Sequence, residues 1–260
     1  MAPFDPKAAA QFIADAHDRR ENFSNLPEDL NPPTIADAYA GQAALADIWS
    51  AKYGAVAGLK IATTTKVMQE LMGIDHPCGG VIFEKRVHTS PAALKTTDYI
   101  HVMLECELAV RVSRDLDGPA GSHTATSVRS AVGEVMAAFE LIEDRNAVYA
   151  DCDVRTLIVD GSWNAGIVLG PSIPAPADME LNGLQGRLTV NGELPFEGKT
   201  DDPMGALAWV ANLACEHVRP LKKGMVVITG SVLATLAIKP GEDFHFVLDG
   251  VGETRITFAS

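Results

Sequence analysis

The chain predicts an α+β fold: a mixed, mainly antiparallel sheet system preceded by a helical portion. Three observations carry this expectation. Apolar residues recur at helical spacing in the first stretch of the chain. After Pro77 the texture changes to many short β-prone runs at irregular intervals. Only two helical patterns interrupt those runs, whereas a doubly wound sheet would alternate strand and helix regularly. A division into a mainly helical portion, residues 1–75, packed on a β-rich core, residues 76–260, follows, the two forming one compact unit. The chain has 260 residues, enough for a sizeable core.

The first helix is expected over Pro6 to Arg20, with Ala9, Phe12, Ile13 and Ala16 on one face. A polar loop leads to Asn31-Pro32-Pro33, and Thr34 is placed to cap a second helix carrying Ala38, Tyr39, Ala43, Leu45, Ala46 and Trp49. Gly58 to Ala62 reads as a short buried strand. Lys66 to Met72 reads as a short helix closed by Gly73. Strands are then expected at 81–83, 99–112, 157–159, 166–169, 186–190, 226–229, 244–248 and 254–258. Asn191-Gly192 marks a hairpin between 188–190 and 193–196. The two interrupting helices are expected from about Ser127 to Glu140 and from about Pro203 to Val218.

The composition excludes several classes of function. Hydrophobic residues make up 47% and charged residues 21%, ordinary values for a globular protein. The formal net charge of −13 repels phosphate backbones and anionic lipid, so neither nucleic acid nor membrane is expected as a partner. The start of the chain, from Met1 to Lys7, lacks a basic segment followed by an apolar one, so a cytoplasmic location without a secretory signal is expected. Cys78, Cys106, Cys152 and Cys215 form no C-x-x-C pair and are expected as reduced thiols.

Chemistry is concentrated in Leu104-Glu105-Cys106-Glu107-Leu108. On a strand, Glu105 and Glu107 project to the same face. Two like charges side by side need a positive partner, and a hard divalent cation is one candidate. The other is a wet strand face with a Lys or Arg from a neighbour. Glu140 stands in apolar company at the end of the expected helix, either buried with a metal or a partner such as Arg145, or as an ordinary exposed glutamate at a helix end. Three carboxylates with open positions suit Mg²⁺ or Mn²⁺ better than zinc. Lys60 lies within Gly58-Leu59-Lys60-Ile61-Ala62, either as a wet edge lysine or as a buried one with a depressed pKa that could move protons. Thr229-Gly230-Ser231 and Asp160-Gly161-Ser162 follow apolar runs, where they either contact an anionic substrate or simply turn the chain. Phosphate-loop, dinucleotide and nucleophile-elbow patterns are absent.

These pieces together resemble the 2-keto-4-pentenoate hydratase / 2-oxohepta-3-ene-1,7-dioate hydratase group of the fumarylacetoacetase superfamily. The resemblance runs nearly end to end, through Asp37 to Gln42, Gly58 to Ile61, Lys66 to Gln69, Gly73-Ile74-Asp75, Glu105 to Ala109, Ala138-Phe139-Glu140, Ala208 to Asn212 and Thr229-Gly230-Ser231. It implies the family's fumarylacetoacetase C-terminal-like β-roll with an N-terminal helical portion, assembled as a dimer-based homo-oligomer, with association to an enzyme of the same pathway a further expectation. It implies a divalent metal, Mg²⁺ or Mn²⁺, held by Glu105, Glu107 and Glu140, and a small 2-oxo acid bound to it through its carboxylate and 2-oxygen. Lys60 falls where the family keeps a lysine near the substrate, and Thr229 and Ser231 fall in its substrate-contacting turn. Ser162 is a further substrate-contact candidate. Asp75 and Glu143 are candidates to share proton transfer with Lys60.

The chain also departs from the family pattern around the expected pocket. It carries Ala62-Thr63-Thr64, Pro77-Cys78-Gly79-Gly80, Asp160-Gly161-Ser162-Trp163-Asn164 and Asp201-Asp202-Pro203, the third where an Asp-Asn-Ala-Ser-Ser run is usual. The activity implied is metal-dependent hydration of a 2-hydroxy-2,4-dienoate in the breakdown of aromatic compounds. The alternatives are a 4-oxalocrotonate-type decarboxylase, a fumarylpyruvate-type C–C hydrolase, and a non-catalytic family member.

Overall fold

The computed structural model describes residues 3–193, 195–217 and 219–260. Leu194 of the expected hairpin, the expected helix end at Val218, and Met1 and Ala2 lie outside these.

In chain order the elements are α1 (Pro6–Asp18), α2 (Ile35–Tyr53), β1 (Val56–Ala62), α3 (Lys66–Leu71), β2 (Cys78–Phe83), β3 (Val87–Thr89), β4 (Ala92–Lys95), β5 (Val102–Val112), α4 (Ala125–Arg129) and β6 (Val132–Glu143). They continue as α5 (Val154–Val159), β7 (Asn164–Leu169), β8 (Ile173–Pro174), β9 (Gln185–Val190), β10 (Phe196–Lys199), α6 (Pro203–His217), β11 (Val226–Ser231), β12 (Leu236–Ala237), β13 (Asp243–Leu248) and β14 (Gly252–Ala259). Thr34 caps α2 by accepting the Asp37 N–H, and Gly73, at φ 67°, follows α3 as its spacing predicts. Asn191 and Gly192 at φ 53° and 75° turn β9 into β10.

Two sheets form the body. The larger runs β2-β1-β11-β5-β6-β7-β3, with β12 beside β5 and β8 beside β6. The smaller runs β10-β9-β13-β14-β4. Pairing is mostly antiparallel, with β1/β11, β3/β7 and β14/β4 parallel, so the expected mixed α+β architecture holds. The two sheets meet where Phe139 of β6 packs on Phe246 of β13, ring centroids 6.1 Å apart.

Two expected elements are corrected. The stretch expected as a helix to Glu140 is the short α4, opened by a Thr124–Ser127 capping box, followed by the strand β6. Residues 135–142 are buried on both faces because β6 lies between β5 and β7. A strand buried on both sides has no polar face, so its apolar run imitates a buried helix. The reverse holds at 157–159, expected as a strand. Asp153 caps the short helix α5 there by accepting the Arg155 N–H.

The region before residue 76 does more than cover the core. Its strand β1 sits inside the larger sheet, between β2 and β11. From α2, Gln42 Nε2 donates to Gly79 O at 2.9 Å and Ile158 O at 2.6 Å, and the Tyr39 hydroxyl accepts the Gly79 N–H at 3.1 Å. These bonds tie β2 and α5 together beside Lys60.

Candidate metal centre

The register of β5 and β6 builds the centre. Glu105 stands directly opposite Glu140, and Glu107 opposite Ala138. Because strand side chains alternate, Glu105, Glu107 and Glu140 share one face, while Cys106 and Phe139 point to the other. The same face continues as a cluster of Ala109, Met136, Ala138, Ile167, Val226 and Ile228. Each glutamate offers a carboxylate oxygen within 4.8 Å of the other two. Glu107 and Glu140 are fully buried, and Glu105 is half-buried.

Each carboxylate is held by a neighbour that the sequence did not single out for that task. Thr235 Oγ1 donates to Glu105 Oε1 at 2.5 Å. The Gly230 N–H donates to Glu107 Oε2 at 2.6 Å. Asn164 Nδ2 donates to Glu140 Oε1 at 2.8 Å. Lys60 Nζ lies 2.6 Å from Glu140 Oε1 and donates to Ser162 O at 3.1 Å. Glu140 is therefore partnered by Lys60, whereas Arg145 is spent on Asp160 at 2.7 Å.

Three acids and one lysine leave the centre short of positive charge. Burial, followed by the charges of Glu140 and Glu105, pushes Glu107 well above the ordinary carboxylate range. Burial raises Glu140 to about 7 although Lys60 opposes it. Glu107 Oε1 and Glu140 Oε2 are buried without any hydrogen-bond partner. Buried acceptors left unpaired are costly, and a hard cation satisfies both and relieves the mutual repulsion. The donor set is all oxygen, which fits Mg²⁺ or Mn²⁺.

Lys60 differs from expectation in one respect. Burial alone would lower its pKa, but Glu140 and Glu105 outweigh burial and hold it above the ordinary lysine value. Without a cation among the carboxylates, it is a firmly charged ammonium. Its place is set by glycine. A Cβ on Gly80, its cross-strand partner, would lie 2.1 Å from Gly161 O, so only glycine lets the Ser162 turn approach β2.

Lys60 and Glu105 open onto a cavity of about 510 Å³, together with Ser162, Trp163, Tyr149 and Ser231. Ser162 and Ser231, both candidates for substrate contact, line this cavity. Ser162 Oγ donates to Gly79 O at 3.1 Å, and Ser231 Oγ to Leu233 O at 2.6 Å. Thr229 is buried and donates to Leu108 O at 2.9 Å, so it braces β11 against β5 and does not line the cavity.

Asp75 and Glu143 are not brought to the site. Asp75 is exposed in the loop after α3 and does not line the cavity. Glu143 lies three residues beyond Glu140 on β6, hence on the opposite face, and accepts the Ile100 N–H at 2.7 Å.

A model of the family described as fumarylacetoacetate (FAA) hydrolase C-terminal matches residues 80–259. The chain is 29% identical over 227 residues to a 2-keto-4-pentenoate hydratase of Burkholderia vietnamiensis, covering 85% of each chain. It is 27% identical over 258 residues to a 2-oxo-hept-4-ene-1,7-dioate hydratase of Escherichia coli, covering 96% of each. Among solved structures, it resembles 4-oxalocrotonate decarboxylase from Pseudomonas putida G7, complexed with magnesium and adipate. That likeness has a TM-score of 0.87 at 24% identity, over 97% of each chain, and speaks to the fold.

Proposed function

The chain belongs to the fumarylacetoacetate hydrolase C-terminal family, and from that premise we propose that it is a divalent-metal-dependent lyase that hydrates a 2-hydroxy-2,4-dienoate through its 2-oxo tautomer. The observation that carries this reading is the convergence of Glu105, Glu107 and Glu140, two with orphaned buried oxygens, beside Lys60 at a cavity. The named relatives act on unsaturated 2-oxo acids by adding water or, in one case, by decarboxylation.

Glu105, Glu107 and Glu140 would hold Mg²⁺ or Mn²⁺. A cation held there would supply Lewis-acid charge to stabilise negative charge developing at the substrate's 2-oxygen. Lys60 is the residue suited to move protons. Its Nζ is oriented by Glu140 and Ser162 O, which leaves it one N–H direction for the cavity. As an ammonium it would give a proton to C5 while the 2-hydroxyl proton passes to water, and it would take a proton back from the water whose oxygen adds to C4 while C3 gains a proton from solvent. Asn164 fixes the Glu140 carboxylate, and the Gly230 N–H and Thr235 fix those of Glu107 and Glu105, so the acids are held before substrate arrives. With Asp75 and Glu143 elsewhere, proton transfer falls to Lys60 and water.

The test is an assay of purified protein with 2-hydroxypenta-2,4-dienoate, with Mg²⁺ or Mn²⁺ and after chelation. Hydrated product that vanishes on chelation and returns with metal is expected, along with loss of about 100-fold or more in kcat for Lys60→Met. Full activity after chelation contradicts the proposal. Release of CO₂ from a substrate with a carboxylate to lose, without hydrated product, would assign the decarboxylase reaction instead.

A further inference from the structure

Resting on that reading of the site, we propose that the substrate is a 2-oxo acid bearing a long, uncharged, apolar tail, aryl or alkyl, and that the cavity disfavours a second carboxylate at the tail end. Three features of the cavity converge on this.

The first is size. A five-carbon dienoate has about eight non-hydrogen atoms and fills less than about half of this cavity at roughly 30 Å³ per water-sized group. Room remains for a tail of similar bulk.

The second is the lining. Beside Lys60 and Glu105, the walls carry Met68, Met72, Ile142, Leu157, Tyr149 and Trp163. The Tyr149 hydroxyl is committed to Asp144 at 3.1 Å, and its ring packs on Trp163 at 5.2 Å between centroids. Trp163 also packs edge-on against Phe23 at 5.3 Å. The indole is held in this wall by a turn in which Gly161, Ser162 and Trp163 all have left-handed φ, at 61°, 52° and 59°. Two non-glycine residues in that region mark a conformation the surroundings enforce. Such a wall of aromatic rings and methionine suits a flat or flexible apolar group.

The third is charge. Among the described residues lining the cavity, Lys60 is the only Lys, Arg or His, and it is occupied by Glu140 at the head end. Glu197 adds a negative charge to the lining. Arg187, the guanidinium beside Glu197, is committed to Asp249 through two hydrogen bonds of 2.7 and 2.9 Å. Arg155 is likewise held by Asp153, and Arg145 by Asp160. A tail carboxylate would enter an apolar wall that also carries Glu197, with no cation but Lys60 among the described lining residues to pair it; Lys66, next to the lining Thr65, lies outside that lining and donates to Gln69 Oε1 at 3.2 Å.

The experiment measures binding rather than turnover. Metal-loaded protein is titrated calorimetrically with pyruvate, 2-oxo-5-phenylpentanoate and 2-oxohexanedioate. The phenyl-tailed acid is expected to bind at least about 10-fold tighter than pyruvate, and the dioate no tighter than pyruvate. Trp163→Ala is expected to erase most of the phenyl advantage. Because that variant loses a buried ring and could misfold, Met68→Arg at a half-buried lining position is the second arm. It is expected to shift the ratio of dioate to phenyl-tailed affinity at least about 10-fold toward the dioate. If pyruvate binds and the dioate outbinds the phenyl-tailed acid in the unaltered protein, the tail inference is wrong while the metal-centre reading stands. If none of the three binds with metal present, the reading of the centre fails and this inference falls with it.

Discussion

Glu107 illustrates how a single residue couples the centre to the stability of the fold. Its folded pKa is raised by burial and by Glu140 and Glu105, and that of Glu140 is raised to about 7. For a carboxylate, a raised folded pKa means that the native state holds more protons than the unfolded state above the ordinary value of 4.5. Stability of the metal-free protein is therefore present at low pH and falls as pH rises through the window from 4.5 to about 7. Protons and metal compete for the same oxygens, so metal protection should grow across that window. Melting temperatures of chelated and Mg²⁺-loaded protein, compared on both sides of pH 7, check this; equal gaps on both sides would refute it. Glu107→Gln should raise the melting temperature of the chelated protein above that pH by roughly 2–4 °C per kcal/mol of repulsion removed, and abolish the metal-induced rise. At this scale the sequence was informative where the geometry is local. Alternation along one strand suffices to put Glu105 and Glu107 on one face. Lys60 was noticed as an anomaly, but its raised pKa depends on Glu140 from a distant strand, and local sequence carries no sign of that neighbour.

At the scale of elements, β6 and the turn after α5 decide the site. A strand buried on both faces lacks the alternation by which strands are recognised, so sequence pattern alone favoured a helix and would have placed Glu140 at a helix end. The resemblance still selected Glu140 as a ligand, because matching order along the chain does not depend on the secondary structure assigned. Asn164, which orients Glu140, lay inside a motif already marked as unusual, yet its task appears only when β7 pairs with β6. The turn itself hangs on Asp160, which accepts from Arg145 Nη2 and pairs with His17 Nε2, both at 2.7 Å. Burial opposes its charge, but His17 and Arg145 together hold Asp160 below the usual carboxylate range. Its contribution is thus present above the unfolded value of 3.8 and is lost as pH falls through the lower folded value. Asp160→Ala leaves Arg145 charged and buried, and is expected to cost about 3–5 kcal/mol in urea unfolding. It should also lower kcat/KM about 10-fold or more by loosening Ser162 O from Lys60. A variant as stable as the parent would show that the pair contributes nothing net.

Over the whole molecule, the texture change after Pro77 suggests a helical portion and a β core; the two-sheet body and the mixed pairing bear out the α+β fold class. What texture cannot express is that β1, from the first portion, is an interior strand of the larger sheet. Removing residues 1–75 strips β2 of its one partner among the described strands of that sheet and unpairs one edge of β11, from Gly58↔Val226 to Lys60↔Ile228. It also removes Lys60, and with α2 the bonds from Gln42 and Tyr39 that hold Gly79 and Ile158. Backbone groups so exposed in a sheet interior, with the apolar faces of Tyr39, Leu45 and Trp49 missing from the core, leave too little burial to offset chain entropy. A fragment of residues 76–260 is therefore expected to show neither a cooperative urea transition nor metal-dependent binding of oxalate, whereas the full chain shows both. Circular dichroism across a urea series decides the matter. A sigmoidal transition in the fragment, with strand content matching the full chain, would make the β core an independent unit and reduce the N-terminal helices to a cover.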